Sequence, residues 1–79
     1  MYRTILYSTG NPDHGQYVAV SPSAVAKVKS IEEAVTACRE YISEWNLGGG
    51  NWCGDAGKVF LSGKLVARIA YNGKVLQEQ

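Results

Sequence analysis

Apolar residues recur at steps of three and four along residues 31–46, which is the spacing of one face of an α-helix. Ser30 stands just before this stripe and Glu33 follows three residues later, as in a helix-capping box. We expect the helix to end near Gly48, with that glycine in the left-handed conformation. The pattern therefore predicts one amphipathic helix over about residues 31–46, with an apolar stripe of Ile31, Ala34, Val35, Cys38, Tyr41, Ile42 and Trp45.

Three strand-like runs follow the helix, at about residues 57–61, 64–71 and 74–78. They are rich in β-branched and apolar residues, which favour strands. Two-residue sequences separate them, Ser62-Gly63 and Asn72-Gly73, and an Asn-Gly pair is the strongest short signal for a tight β-hairpin turn. The C-terminal part of the chain is therefore predicted to form a three-stranded antiparallel meander.

The N-terminal part predicts a β-hairpin. Residues 2–8 and 16–20 are rich in strand-forming residues, and the sequence NPDHG lies between them, with Pro12 and Gly15 suited to a turn. Residues 24–29 fit either a short strand or an irregular connection, and we favour the strand. Together these elements predict a single α+β domain over residues 1–79, with the helix packed on an antiparallel sheet.

The meander has two faces whose composition depends on the lengths of its turns. Two-residue loops place Phe60 opposite Leu65 and Ile69 opposite Leu76, and opposed residues share a face. That face, with Ala67 and Tyr71, is predicted to cover the helix stripe. The other face is more apolar than a solvated sheet face usually is. We predict that it is an interaction face, consisting of Val59, Leu61, Lys64, Val66, Arg68, Ala70 and Val75.

Composition limits the classes of function. The chain has 79 residues, is 46% hydrophobic and 19% charged, and carries a formal net charge of +1. These values are typical of a small globular domain, and they give no overall field that would attract nucleic acid or an anionic membrane. The chain shows neither a signal-peptide pattern nor an apolar run of about 20 residues, so we expect a cytoplasmic protein without membrane contact.

The glycine-rich stretch of residues 46–60 is the nearest approach to a chemical motif. Gly57-Lys58 lacks the spacing and the following helix of a phosphate-binding loop, and residues 54–57 match the GxxG of nucleic-acid-binding KH domains only formally. We interpret the stretch as a helix-to-sheet connection in which Trp52 is buried as a plug. No catalytic, cofactor-binding or metal-binding residues are predicted.

The two cysteines do not form a recognisable site. Cys38 lies on the apolar helix stripe and is predicted to be a small buried hydrophobic residue. Cys53 would need a neighbouring base to act as a nucleophile, and His14, next to Asp13, is the only histidine of the chain. A thiol enzyme built on these residues is therefore the least favoured hypothesis. The pair also lacks the spacing of a zinc site, and a disulfide is not expected.

The sequences AVTACREYI, NLGGGNW and GKLVARIAYNGKV resemble small α+β accessory proteins of bacterial mobile elements, namely plasmids, phages and integron gene cassettes. The resemblance implies a compact accessory protein and carries no site residues. We hypothesise a non-enzymatic protein-interaction module that self-associates or binds a partner as an inhibitor or adaptor. The alternative is a nucleic-acid-binding module that uses the basic meander, with Lys58, Lys64, Arg68 and Lys74.

Overall fold

The computed structural model describes residues 1–10, 15 and 21–77 of the chain. In this part, five strands form one antiparallel sheet, and the α-helix packs on one of its faces. The predicted α+β class is therefore confirmed. The spatial order of the strands is β2-β1-β3-β4-β5. The elements are β1 (Tyr2–Leu6), β2 (Ala24–Val28), α1 (Ile31–Glu44), a 3₁₀ turn (Gly49–Asn51), β3 (Lys58–Leu61), β4 (Lys64–Ile69) and β5 (Val75–Gln77).

The first strand has two antiparallel neighbours. On one side β1 pairs with β2, with Thr4 opposite Ala26, which confirms the strand favoured for residues 24–29. On its other side β1 pairs with β3, with Thr4 opposite Val59. This second pairing makes β3 the central strand of the sheet. The predicted hairpin strand at residues 16–20 lies outside the described residues.

Both ends of α1 are closed by local hydrogen bonds. At the start, the Ser30 hydroxyl accepts from the Glu33 amide at 3.1 Å, as the capping signal predicts. At the end, Asn46 has a φ of 51° and the Leu47 amide donates to the Ile42 carbonyl at 2.9 Å. This is a Schellman motif, and the buried Leu47 supplies its apolar contact. The prediction that Gly48 is the left-handed residue is wrong, because the helix ends at Glu44 and Asn46 takes the left-handed conformation.

The first meander turn forms as predicted. Leu61 lies opposite Lys64, so the loop consists of Ser62 and Gly63 alone. Their φ angles are 53° and 80°, the left-handed conformation that a type I′ turn requires at both positions.

The register of β4 then shifts by one residue. Phe60 lies opposite Leu65, but Val59 lies opposite Ala67, so Val66 is an extra residue on β4. Such a β-bulge changes the alternation of side chains along the strand that contains it. Ala67 therefore points toward the helix while Leu65 points away from it.

The second meander turn is one residue longer than predicted. Ile69 pairs with Val75 instead of Leu76, and the Ala70 amide donates to the Lys74 carbonyl at 2.8 Å. The loop thus has three residues, 71–73. A contact with α1 favours this longer loop, since the Arg39 guanidinium donates to the Tyr71 carbonyl at 2.8 Å.

The connection between α1 and β3 is held by Trp52. Its side chain is 6% exposed, and its indole N–H donates to the Ile69 carbonyl at 2.9 Å. Asn51, also buried, donates through Nδ2 to the Thr9 carbonyl and accepts through Oδ1 from the Gly48 amide. The interpretation of this stretch as a connection with a tryptophan plug is confirmed. The role of Asn51 was not predicted.

A buried chain of hydroxyl groups joins the segments that flank β1 and β2 to the helix. The Tyr41 hydroxyl donates to the Pro22 carbonyl at 2.6 Å. It therefore accepts from the Ser21 hydroxyl, 2.5 Å away, and the Ser8 hydroxyl lies 2.6 Å from Ser21. Paired in this way, the three hydroxyl groups avoid the cost of burying an unsatisfied polar atom.

We predict that Gly57→Ala destabilises the fold far more than Gly63→Ala does. Both glycines have positive φ, so both substitutions carry a backbone cost of about 1–2 kcal/mol. A Cβ at Gly57 would lie only 2.3 Å from the Ile69 carbonyl oxygen, whereas nothing lies within 4 Å at Gly63. The overlap adds about 1–3 kcal/mol at Gly57.

Urea denaturation of the two variants measures this difference. Circular dichroism detects the case in which Gly57→Ala does not fold, which also agrees with the prediction. Equal free energies of unfolding for the two variants would contradict it.

Candidate interaction surface

The predicted interaction face is not a single surface. Val59 is fully buried, and Val66 and Val75 pack against the core from the helix side. Leu61 lies opposite Tyr2, which also contacts the core, so Leu61 belongs to the helix side as well. Lys64 lies opposite Leu61 beside the tight turn and shares its orientation, Ala70 flanks the second turn, and Arg68 faces away from the helix.

The predicted interaction face differs from the observed one because the strand registers differ from those predicted. Because of the extra residue Val66, the side chains before and after it on β4 point to opposite faces from those expected of one regular strand. The longer second turn likewise exchanges the two faces of β5. In addition, the pairing of Val59 with the buried Thr4 fixes Val59 on the helix side. Of the residues predicted to cover the helix, Phe60, Leu65 and Leu76 instead lie on the opposite face.

The structure leaves this opposite face, here called the outer face, without a helix among the described residues. Cross-strand pairs define it, because paired residues point to the same side of a sheet. Its members are Val25, Lys27, Arg3, Ile5, Lys58, Phe60, Leu65, Arg68 and Leu76. Five of the nine are apolar and four are basic, so the outer face has a mixed apolar and cationic composition.

A shallow depression of about 640 Å³ lies at the β2, β1 and β3 end of the outer face. Ile5, Val25 and Phe60 supply apolar side chains to it, and Arg3 and Lys27 supply charged ones. Met1 adds a further apolar side chain, which is 71% exposed. The depression therefore presents apolar and cationic groups side by side.

At the other end of the outer face, the basic side chains are held by the loop before β3. The Lys58 ammonium donates to the Asp55 carboxylate at 2.6 Å, and the Arg68 guanidinium donates to the Gly54 carbonyl at 2.9 Å. The hydrogen bond from Lys58, together with its charge, lowers the pKa of Asp55. By contrast, Arg3 and Lys27 are exposed and have no ion-pair partner among the described residues.

Sequence reasoning missed most of the outer face. The alternation of side chains in β1 did indicate part of the outer face, because Arg3 and Ile5 alternate with the inward residues Tyr2 and Thr4. Only the pairing of β1 with β3 reveals that Phe60 lies beside Arg3. Strand order could not be read from the sequence.

The glycine-rich connection does not assemble a recognisable chemical site among the described residues. Cys53 is exposed, and its sulfur lies 2.8 Å from the Thr9 hydroxyl. The other members of the hypothetical thiol site, His14 and Asp13, lie outside the described residues. The described part of the chain contains no group of three histidine, cysteine or acidic side chains placed to hold a metal ion.

Comparisons with protein-family models, with curated proteins and with solved structures found no match to this chain.

Among the helices that the structure describes, none has the length and apolar character needed to cross a membrane.

We predict that the two thiols differ strongly in reactivity in the folded protein. Cys53 is exposed, whereas Cys38 is buried, and burial raises the pKa of Cys38 to about 12. Since the thiolate is the reactive form, an alkylating reagent at pH 8 should modify one thiol of the native chain and two of the urea-unfolded chain. Mass spectrometry counts the modified thiols.

The Cys53→Ser variant is the control for this assignment. It should stay unmodified until urea is added. Equal rates of modification at both cysteines of the native chain would show that Cys38 is not enclosed by the core.

Proposed function

We propose that the protein is a non-enzymatic, cytoplasmic protein-interaction module that binds a partner through the outer face of its sheet. The observation that carries this proposal is the exposure of large apolar side chains on a sheet face that no described helix covers. Val25 on β2 is 59% exposed, and Met1, which lines the same depression, is 71% exposed, while Leu76 on β5, at the other edge of the sheet, is 45% exposed. Exposed apolar groups that lie together, as Met1, Val25, Ile5 and Phe60 do around the depression, are typical of interaction sites.

The composition of the outer face supports a protein partner. Protein interfaces are enriched in arginine, methionine and aromatic residues at their centre. Phe60 is the central aromatic residue of the outer face, with Arg3 directly opposite it on the neighbouring strand. Aliphatic side chains of β1 and β2 complete the surface on that side.

The resemblance to accessory proteins of bacterial mobile elements fits this function, and we include a bacterial mobile-element origin in the proposal. An accessory protein of this size acts by occupying a surface of a larger partner, as an inhibitor or an adaptor. The chain would need only one binding face for that role.

We predict that Val25→Asp abolishes capture of a partner protein while Ala24→Asp preserves it. The two residues are adjacent on the same edge strand and both are exposed, but they point to opposite sides of the sheet. Only the first substitution replaces an exposed apolar side chain of the outer face with a carboxylate. Affinity capture of the tagged protein from nuclease-treated bacterial lysate, read by quantitative mass spectrometry, measures the difference.

Two results would count against the proposed function. In one, every captured protein is retained equally by both variants, which means that the outer face takes no part. In the other, the wild-type protein captures partners from untreated lysate but not from nuclease-treated lysate. That result would favour the nucleic-acid-binding alternative.

A further inference from the structure

We propose that the partner of the outer face is acidic: a protein segment that presents glutamate or aspartate side chains together with apolar ones. This inference rests on the proposed function and names the chemistry of its partner. It is carried by the arrangement of the four basic residues on the sheet.

The basic residues of the outer face are paired with one another across neighbouring strands. Arg3 lies opposite Lys27, and Lys58 lies opposite Arg68. Opposed side chains begin about 5 Å apart, and like charges at that separation destabilise a sheet. The fold therefore contains two pairs of like charges on the same face. Asp55 partly compensates the Lys58 and Arg68 pair, whereas the Arg3 and Lys27 pair is left for an anionic partner to relieve.

The described residues supply little negative charge to this face. Asp55 forms an ion pair with Lys58 from the preceding loop, but Arg3 and Lys27 form no ion pair with any described residue. The glutamates 32, 33, 40 and 44 belong to α1, which packs on the other side of the sheet. Although the net charge of the chain is only +1, the outer face is strongly positive.

The apolar groups favour an acidic protein over single-stranded nucleic acid. Proteins that bind single strands stack successive bases on several aromatic side chains. The outer face offers one aromatic residue, Phe60, and its remaining apolar groups are aliphatic. Aliphatic side chains of this kind fit apolar side chains of a protein partner and stack poorly on bases.

Charge also disfavours a second copy of this chain as the partner. A symmetric dimer through the outer face would place the same surface against itself. The cations of one copy would then approach the cations of the other, and neither Arg3 nor Lys27 has an ion-pair partner among the described residues to offset this repulsion.

The test uses three synthetic peptides of twelve residues and one oligonucleotide with the full chain. The peptides alternate leucine with glutamate, glutamine or lysine, and the oligonucleotide is fifteen deoxythymidines. We expect the glutamate peptide to bind at least tenfold more tightly than the glutamine peptide, and the lysine peptide not to bind. Binding of the glutamate peptide should weaken as salt rises from 50 to 300 mM, because salt screens exposed charges.

Arg3→Glu and Lys27→Glu are the test variants, and Lys64→Glu is the matched control. Each test variant changes a repulsive pair into an attractive one, so it should fold at least as stably as the wild type. Each should weaken binding of the glutamate peptide at least tenfold. Lys64 is exposed but does not belong to the outer face, so its reversal should change the affinity less than threefold.

Four other outcomes would overturn the inference. If the glutamine peptide binds as tightly as the glutamate peptide, the partner is not acidic, although the outer face still binds protein and the proposed function stands. If no peptide binds, the inference that the partner is acidic fails. The capture experiment with Val25→Asp and Ala24→Asp then tests the proposed function separately. If the oligonucleotide alone binds and Arg3→Glu abolishes this, the ligand is nucleic acid. If light scattering shows a wild-type dimer that Val25→Asp dissociates, the partner is a second copy.

Discussion

The contact between Gly57 and Ile69 is the constraint on which the sheet depends. The Gly57 amide donates to the Ile5 carbonyl at 2.9 Å, and the Ile69 amide donates to the Gly57 carbonyl at 2.8 Å. One glycine thus joins β1 to β4 at the start of the central strand, and Trp52 packs against it from the side. A side chain at this position would push the strands apart.

That contact also determines what the two faces of the sheet display. With β3 held between β1 and β4, Val59 must share a side with Thr4, and that side is covered by the helix. Phe60, the next residue, must then point outward. The bulge at Val66 keeps Ala67 and Ile69 on the buried side of β4. The same strand register therefore determines which residues form the core and which form the outer face.

The two sides of the molecule differ in charge as well as in burial. Four glutamates lie on the helix layer, and four basic residues lie on the outer face of the sheet. The small net charge of the whole chain hides this separation. A binding function that depends on one face is compatible with a near-neutral chain, because the local field at the face is what a partner meets.

The sequence by itself determined the local elements. The Ser30 cap, the helix stripe from Ile31 to Ile42 and the Ser62-Gly63 turn depend on residues close together in the chain, and all were predicted; the last stripe residue, Trp45, is instead exposed beyond the helix end. The burial of Trp52 was predicted from its large apolar ring. Tertiary structure decided the strand order, the bulge at Val66 and the length of the second turn. These depend on contacts between distant segments, such as the Arg39 hydrogen bond to Tyr71, which no local pattern contains. Because a shift of one residue exchanges the faces of a strand, the interaction surface could be located only after these contacts were known.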